Sequence, residues 1–184
     1  HSPGPAQQRD IIAFAVHRAP SFALSDANAA AAFLARLSGR LRGDQKIAVL
    51  AHDAREAWDL GLATKLAEEL DPARAYAHSF ATADECTAFY KEVRSVISAR
   101  MHPIILGACS GAWCVPLQSS RKVSDMGARL GLSVQSLGDI MALDDEAFDL
   151  AIGLGDTGPL PDRQAIARLQ DEALQVIPNA TAKD

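Results

Sequence analysis

The sequence contains few aromatic residues, few cysteines and no long apolar run. Phe, Trp and Tyr make up only 5% of the 184 residues, so Ala, Leu, Ile and Val must build most of the core. Three cysteines are a small and odd number, which argues against a disulfide framework and favours a reducing, cytoplasmic setting. No run approaches the roughly 18 apolar residues of a membrane-spanning helix. Together these features predict a soluble globular protein.

An excess of basic residues is also absent. The chain has 18 Lys and Arg against 23 Asp and Glu, which gives a net charge of −5. Neither nucleic acid nor an anionic membrane is therefore expected as a partner. The expected partner is a small-molecule ligand or another protein, and a homo-oligomer stays open. No pattern in the sequence identifies a cofactor, and none has the ligand spacing of a metal site.

The domain organisation is read from composition. Residues 1–9 are interpreted as a leader or vector remnant, because they begin His-Ser-Pro-Gly-Pro. Residues 10–178 are predicted to form a single α/β domain, and residues 179–184 a C-terminal tail. The domain is long enough to bury a substantial core.

Short apolar runs alternate with amphipathic helical patterns along the chain. This alternation predicts a doubly wound, Rossmann- or flavodoxin-like α/β fold. Its mostly parallel sheet would have about five or six strands, with helices on both faces. Strands are predicted over 11–16, 46–51, 73–80, 103–108, 132–137 and 148–154, with a short one at 175–177. Helices are predicted over 27–41, 54–70, 82–100, 116–130, 140–147 and 161–174.

Polar residues follow several of the predicted strands. In a parallel sheet the strand-to-helix loops share the carboxyl edge, where ligands usually bind. The residues expected there are His17, His52, Asp53, His78 and Asp156. Histidine changes charge near neutral pH and ligates metals, so such a rim is suited to acid–base chemistry or ligand binding. The alternative is that these are ordinary polar residues at the ends of strands.

Residues 107–111 read Gly-Ala-Cys-Ser-Gly and follow the fourth predicted strand. A sharp strand-to-helix turn needs small flanking residues and lifts its central side chain clear of the sheet. Backbone N–H groups of Ser110 and Gly111 would then stabilise a thiolate or an oxyanion. Cys109 is therefore a candidate nucleophile, with Trp113 lining a ligand pocket beside it. The alternative is a small thiol packed as a hydrophobe.

With Pro-Ile-Ile-Leu ahead of it, this pattern resembles the nucleophile elbow of class I glutamine amidotransferases. The resemblance implies an α/β fold with a catalytic cysteine at Cys109, and acyl transfer or hydrolysis as the reaction. In those enzymes the catalytic histidine follows the cysteine, whereas the last histidine of this chain is His102. A base must then come from upstream, and the candidates are His52 and, failing that, His78.

Residues 109–114 also have C-x-G-x-x-C spacing, which is similar to the phosphate loop of low-molecular-weight tyrosine phosphatases. In that family an arginine follows the second cysteine and binds phosphate through its fork of N–H groups. Here Val115 stands in its place. Phosphate binding without phosphatase chemistry is the expectation that remains.

Residues 153–158 match G-x-G-x-x-G after a predicted strand. Pro159 and Pro161 delay the following helix, so a glycine-rich turn is favoured over a dinucleotide fingerprint. Its N–H groups would nevertheless suit an anion. The candidate ligand-binding residues there are Gly155, Asp156 and Thr157.

Three functions follow from these patterns. The first is a small-molecule enzyme or binding protein with a reactive thiol at Cys109. The second is a non-catalytic interaction module or a subunit of a larger assembly. The third is an anion- or nucleotide-binding domain. The sequence leaves undecided whether the chain is an enzyme.

Overall fold

The computed structural model describes residues 9–16, 27–53, 59–155 and 157–176. Within these ranges five strands form one parallel sheet. They are β1 (Ile11–Ala15), β2 (Lys46–Ala51), β3 (Ala75–Ser79), β4 (Val93–Ser98) and β5 (Trp113–Pro116). The helices are α1 (Ala27–Arg40), α2 (Gly61–Glu68), α3 (Ala83–Glu92), α4 (Met101–Cys109), α5 (Arg121–Arg129), α6 (Leu137–Met141), α7 (Asp145–Ile152) and α8 (Arg163–Val176). The strand order is β3-β2-β1-β4-β5, which confirms the predicted doubly wound α/β class.

Each face of the sheet carries its own hydrophobic core. Side chains alternate along β1, so Ile12 and Phe14 join the core that contains α1 and α2. Ala13 and Ala15 join the other core, on the side of α3 and α4. Strands covered on both faces need apolar side chains at nearly every position, which is why these runs are continuous. The small alanines leave room for the ring of Tyr90, which is fully buried.

The first half of the chain follows the sequence prediction. β1, α1, β2 and β3 lie within two residues of their predicted ends. Thr82 caps α3, since its Oγ1 accepts a hydrogen bond from the Glu85 N–H at 3.1 Å. The Glu85 carboxylate in turn accepts from the Ala81 N–H at 2.9 Å. The helix predicted over 54–70 is seen as α2, and residues 54–58 lie outside the described part.

The helix predicted over 82–100 is wrong in its second half. α3 ends and β4 begins at the next residue, with no Gly or Pro to mark the boundary. Val96 and Ile97 have helical spacing from the residues of α3 but suit a buried strand equally well. The polar residues of β4 are accommodated by hydrogen bonds, as when Ser95 Oγ donates to the Ile152 carbonyl at 2.6 Å.

The strand predicted over 103–108 is also wrong, because this run forms most of α4. A short apolar run fits either a strand or a buried helix. Pro103 lies in the first helical turn, where its missing N–H costs nothing. A Cβ at Gly107 would lie 2.6 Å from Val96 Cγ2, so this glycine lets α4 pack closely on β4. The next strand is β5, which follows α4 in the chain. Pro116 ends β5 instead of opening a helix.

The strand predicted over 132–137 is reduced to a single bridge between Leu117 and Gln135. The Gln135 N–H donates to the Pro116 carbonyl at 3.1 Å, which covers part of the outer edge of β5. α6 begins directly afterwards. The helix predicted over 116–130 is seen from Arg121 as α5.

The strand predicted over 148–154 lies mostly in α7. Asp144 caps this helix, since its Oδ1 accepts from the Ala147 N–H at 2.9 Å. Gly153 ends it with a φ of +72°. The helix predicted over 161–174 is seen as α8. Because α8 continues to Val176, the first two residues of the strand predicted at 175–177 are helical instead.

Candidate functional site

The strand order creates a crevice at the carboxyl edge of the sheet, between β1 and β4. The chain proceeds from β1 outward to β2 and β3, then returns to β4 and β5 on the other side. Ligands of open parallel sheets bind at such a reversal because the neighbouring loops diverge there. The loops that follow β1, β2 and β4 are therefore where a site is expected.

Arg100 spans this crevice. It follows β4, and its Nε donates to the carbonyl of Val16, at the end of β1, at 3.3 Å. Its Nη2 forms an ion pair with Asp59, which lies just before α2. The Arg100 side chain is 25% exposed and that of Asp59 is 0% exposed. The guanidinium is thus held by groups from two loops, and a quarter of the Arg100 side chain is exposed.

Asp59 links the loop after β2 to the loop after β4, the two strands that flank β1. Besides pairing with Arg100, its Oδ2 accepts from the Asp53 N–H at 3.3 Å, in the loop after β2. A buried carboxylate needs such partners to offset its lost hydration. Asp59 offsets much of the positive charge of Arg100. Arg100 therefore offers a ligand mainly fixed N–H donors, and less a free positive charge.

The loop between β4 and α4 is held by its own hydroxyl groups. Ser98 Oγ accepts from the Arg100 N–H at 2.9 Å and donates to the Arg100 carbonyl at 3.1 Å. Ser119 Oγ donates to the Ala99 carbonyl at 2.7 Å. Arg100 is the N-cap residue of α4, and its own side chain makes no capping hydrogen bond. The positive end of α4 therefore points to the crevice edge.

Further basic side chains lie along the same edge. His102 is exposed in the first turn of α4, and Arg121 and Lys122 are exposed at the start of α5, after β5. An exposed pair with Asp125, at 3.6 Å, offsets part of the charge of Arg121. In a chain with a net charge of −5, this edge carries a local concentration of basic groups.

His52 lies at the carboxyl edge, where the sequence predicted it. It follows β2, and its Nε2 lies 2.8 Å from the hydroxyl of Tyr90, on α3. Burial, and after it the charges of Arg100 and His102, lower the pKa of His52 to about 4, while Asp59 acts in the opposite direction. His52 is therefore neutral at physiological pH and belongs to the same cluster as Arg100.

His78 lies within β3 and packs into an aromatic cluster. Its ring stacks on Phe89 with centroids 4.8 Å apart and meets the edge of Phe80 at 4.9 Å. Burial lowers the pKa of His78, and its Nε2 is buried with no hydrogen-bond partner among the described residues. These contacts are those of a core residue, in keeping with its position inside a strand.

The predicted nucleophile elbow is wrong, because Cys109 is the last residue of α4. α4 starts at the carboxyl edge and runs back to the amino edge, where β5 begins. Cys109 therefore lies at the opposite end of the sheet from His52, and the structure does not bring the predicted thiol and base together. Burial raises the pKa of Cys109, against the effect of a hydrogen bond with Gln170.

The predicted oxyanion donors already have partners. The Ser110 N–H donates to the Leu106 carbonyl at 3.1 Å, and the Gly111 N–H donates to the Ala108 carbonyl at 3.0 Å. These bonds close the last turn of α4, and the φ of +75° at Gly111 turns the chain into β5. The N–H groups are consequently unavailable to a ligand.

The glycine-rich turn and Trp113 also lie at the amino edge. Arg94, near the start of β4, donates from Nε to the Gly153 carbonyl at 3.1 Å and from Nη2 to the Gly155 carbonyl. Its guanidinium lies 4.9 Å from the ring centre of Trp113, which is only 2% exposed. The carbonyl groups of Gly153 and Gly155 therefore point toward Arg94 on the sheet, and the Trp113 side chain is buried. Thr157 is exposed beside this turn.

Two predicted site residues, His17 and Asp156, lie outside the described residues. In the described ranges, no three His, Cys, Asp or Glu side chains come together so as to hold a metal ion. Among the helices that the structure describes, none combines the length and apolar character that crossing a membrane requires.

Sequence reasoning missed Arg100, Asp59, Ser98 and Tyr90. The signal for Arg100 and Ser98 was the boundary between α3 and β4. Once Val93–Ser98 is recognised as a strand, Arg100 stands directly beyond its carboxyl end. Asp59 and Tyr90 carry no sequence signal of their own, because only the fold brings them to this edge.

A scan of the chain against models of known protein families finds none that matches, and a search of curated proteins finds no match either. Functional inference for this chain therefore rests on its own geometry.

Proposed function

We propose that this chain binds a small anionic ligand of the phosphate or nucleotide class, in the crevice between the carboxyl ends of β1 and β4. The observation that carries the proposal is Arg100, which Val16 and Asp59 fix across this crevice while a quarter of its side chain remains exposed. The planar fork of arginine N–H groups matches the oxygens of phosphate, and a fixed fork loses little entropy on binding.

The surroundings of Arg100 support the same ligand class. α4 places its N-terminus and the positive end of its dipole at this edge, an arrangement that favours anions. Arg121 and Lys122 add positive charge along this edge of an otherwise acidic chain. The position at the strand-order reversal is the one that nucleotide ligands occupy in open parallel sheets.

A reactive-thiol function has less support. Cys109 lies at the amino edge, burial raises its pKa, and the N–H groups of Ser110 and Gly111 bond within α4. Among the residues that the structure describes, neither a base nor an oxyanion donor accompanies the thiol. We therefore favour anion binding over acyl transfer or hydrolysis.

The test is isothermal titration calorimetry with inorganic phosphate, pyrophosphate, AMP and ADP. At least one of these probes is expected to bind, with an affinity that falls as salt is added. Arg100→Gln should weaken that binding by about tenfold or more, because it removes charge-assisted hydrogen bonds. Lys46→Gln makes the same charge change at an exposed position at the amino end of β2 and should change the affinity by less than about twofold.

Arg100→Lys guards against loss of the fold, because it retains a positive charge for Asp59 but lacks the fork. It should bind more weakly than the unmodified chain, with an unchanged melting transition. Failure of all four probes to bind the unmodified chain would refute the proposal. Equal losses in Arg100→Gln and Lys46→Gln would also refute it, because they would show only a general effect of charge.

A further inference from the structure

We propose that His52 is a further binding residue of this crevice, donating a hydrogen bond from Nδ1 to the anionic ligand. Tyr90 is its positioning residue, because it determines which ring nitrogen carries the proton. The ligand part of this inference rests on the proposed function, whereas the state of the His52 ring follows from contacts within the chain.

The argument begins with Tyr90, whose side chain is 0% exposed. It lies on α3 and packs against the face of the sheet that Ala15, Ala48 and Leu50 help to form. A buried hydroxyl must donate its proton to an acceptor, or folding loses the hydrogen bond that water supplied. The acceptor that the structure gives this hydroxyl is His52 Nε2, at 2.8 Å.

A ring nitrogen that accepts a hydrogen bond carries no proton. Nε2 of His52 is therefore the lone-pair nitrogen, and the proton of the neutral ring is on Nδ1. Within the described part of the chain, the bond to Tyr90 is the one hydrogen bond of the His52 ring. The Nδ1–H group thus has no partner among the described residues, and we propose that it donates to the ligand.

The charges around His52 keep the ring in this state. Arg100 and His102, at the start of α4, disfavour a second proton, while Asp59, before α2, favours one less strongly. Burial, the largest of these effects, acts in the same direction as Arg100 and His102, and the pKa of His52 falls to about 4. The ring therefore adds a directed donor beside Arg100 without adding a positive charge.

The first experiment reads the state of the ring without any ligand. Long-range 1H–15N correlation spectra of the 15N-labelled chain near neutral pH distinguish a pyrrole-type from a pyridine-type ring nitrogen. His52, assigned by the signals lost in His52→Asn, should show a pyrrole-type Nδ1 and a pyridine-type Nε2. In Tyr90→Phe the donor to Nε2 is gone, so the ring should become a mixture of both neutral forms.

The second experiment measures binding of whichever phosphate, pyrophosphate, AMP or ADP probe binds the unmodified chain. His52→Ala should weaken binding by about tenfold or more, as expected for a hydrogen bond to a charged group. His52→Asn should recover most of the loss, because the amide nitrogen of asparagine lies where Nδ1 lies in histidine. His52→Gln extends its amide toward the position of Nε2 and should behave like His52→Ala. Tyr90→Phe should weaken binding by roughly threefold, since the ring is then only partly in the donating form.

Two results would overturn this inference while the proposed function stands. One is a pyridine-type Nδ1 in the unmodified chain, and the other is unchanged affinity in His52→Ala. If no probe binds the unmodified chain, the proposed function and the ligand role of His52 fall together. The spectra then still decide whether Tyr90 sets the ring's proton.

Discussion

Lowering the pH should destabilise this protein through His52. The pKa of this ring is 6.5 in an unfolded chain and about 4 in the folded one, because burial and the charges of Arg100 and His102 oppose protonation. Above pH 6.5 the ring is neutral in both states and the pH has no effect through it. As the pH falls below 6.5, the unfolded chain binds a proton that the folded chain refuses, so stability falls.

The size of this effect follows from the two pKa values. Between about pH 7.5 and about pH 5, the free energy of unfolding should fall by about 2 kcal/mol through His52 alone. The loss would reach about 3 kcal/mol below pH 4, where the folded form also binds the proton. Such a change is a large share of the stability of a typical domain, which is roughly 5–15 kcal/mol.

The assay is urea denaturation of the unmodified chain and of His52→Asn at both pH values. The variant should lose about 2 kcal/mol less on acidification. The pKa of His78 is also lowered by burial, but this residue is present in both chains, and its effect cancels in the comparison. Hydrogen bonds from Arg40 and Arg42 hold the pKa of Asp149 below 3.8, so its ion pairs persist at pH 5. Equal losses in the two chains would refute the reasoning.

Three further predictions test other parts of the structure. Gly153→Ala should lower the free energy of unfolding by about 2 kcal/mol or more, because φ is +72° and the added Cβ would lie 2.4 Å from Trp113; an unchanged urea midpoint would contradict this. Asp59→Asn should lower it by about 3 kcal/mol in the same assay, because Arg100 loses its buried counter-charge, and a neutral result would show that the pair is dispensable. Cys109→Ser should leave ligand affinity unchanged. In the unmodified chain at neutral pH, Cys109 should react with iodoacetamide more slowly than free cysteine, because burial raises the pKa of its thiol.

The fold class could be predicted from the sequence because the first three strands and the helix between the first two give strong local signals. β2 is a continuous apolar run bounded by polar residues, and α1 has apolar residues at helical spacing. The boundary between α3 and β4 could not be predicted, because no Gly or Pro marks it and tertiary contacts decide the conformation. Arg94 and Ser95 look unsuited to a buried strand until Gly153 and Ile152 supply their hydrogen-bond acceptors.

The position of the candidate site and one of its residues could be predicted, but the other residues could not. The carboxyl edge and His52 follow from β2 alone. The pairing of Asp59 with Arg100 depends on the crossing of two loops over β1, which no local pattern encodes. The bond between His52 and Tyr90 likewise depends on α3 crossing the sheet above small residues such as Ala48.

The apolar run after β4 decides which side chains lie at the carboxyl edge. In a parallel α/β sheet a strand runs toward the carboxyl edge and the following helix runs back from it. As a strand, the run 103–108 would have carried Cys109 to the carboxyl edge. As α4, it leaves Arg100 and His102 at that edge and carries Cys109 to the other. One exchange of helix for strand therefore replaces a thiol with a guanidinium at the crevice, and this is why we propose the binding of an anion and not nucleophilic attack.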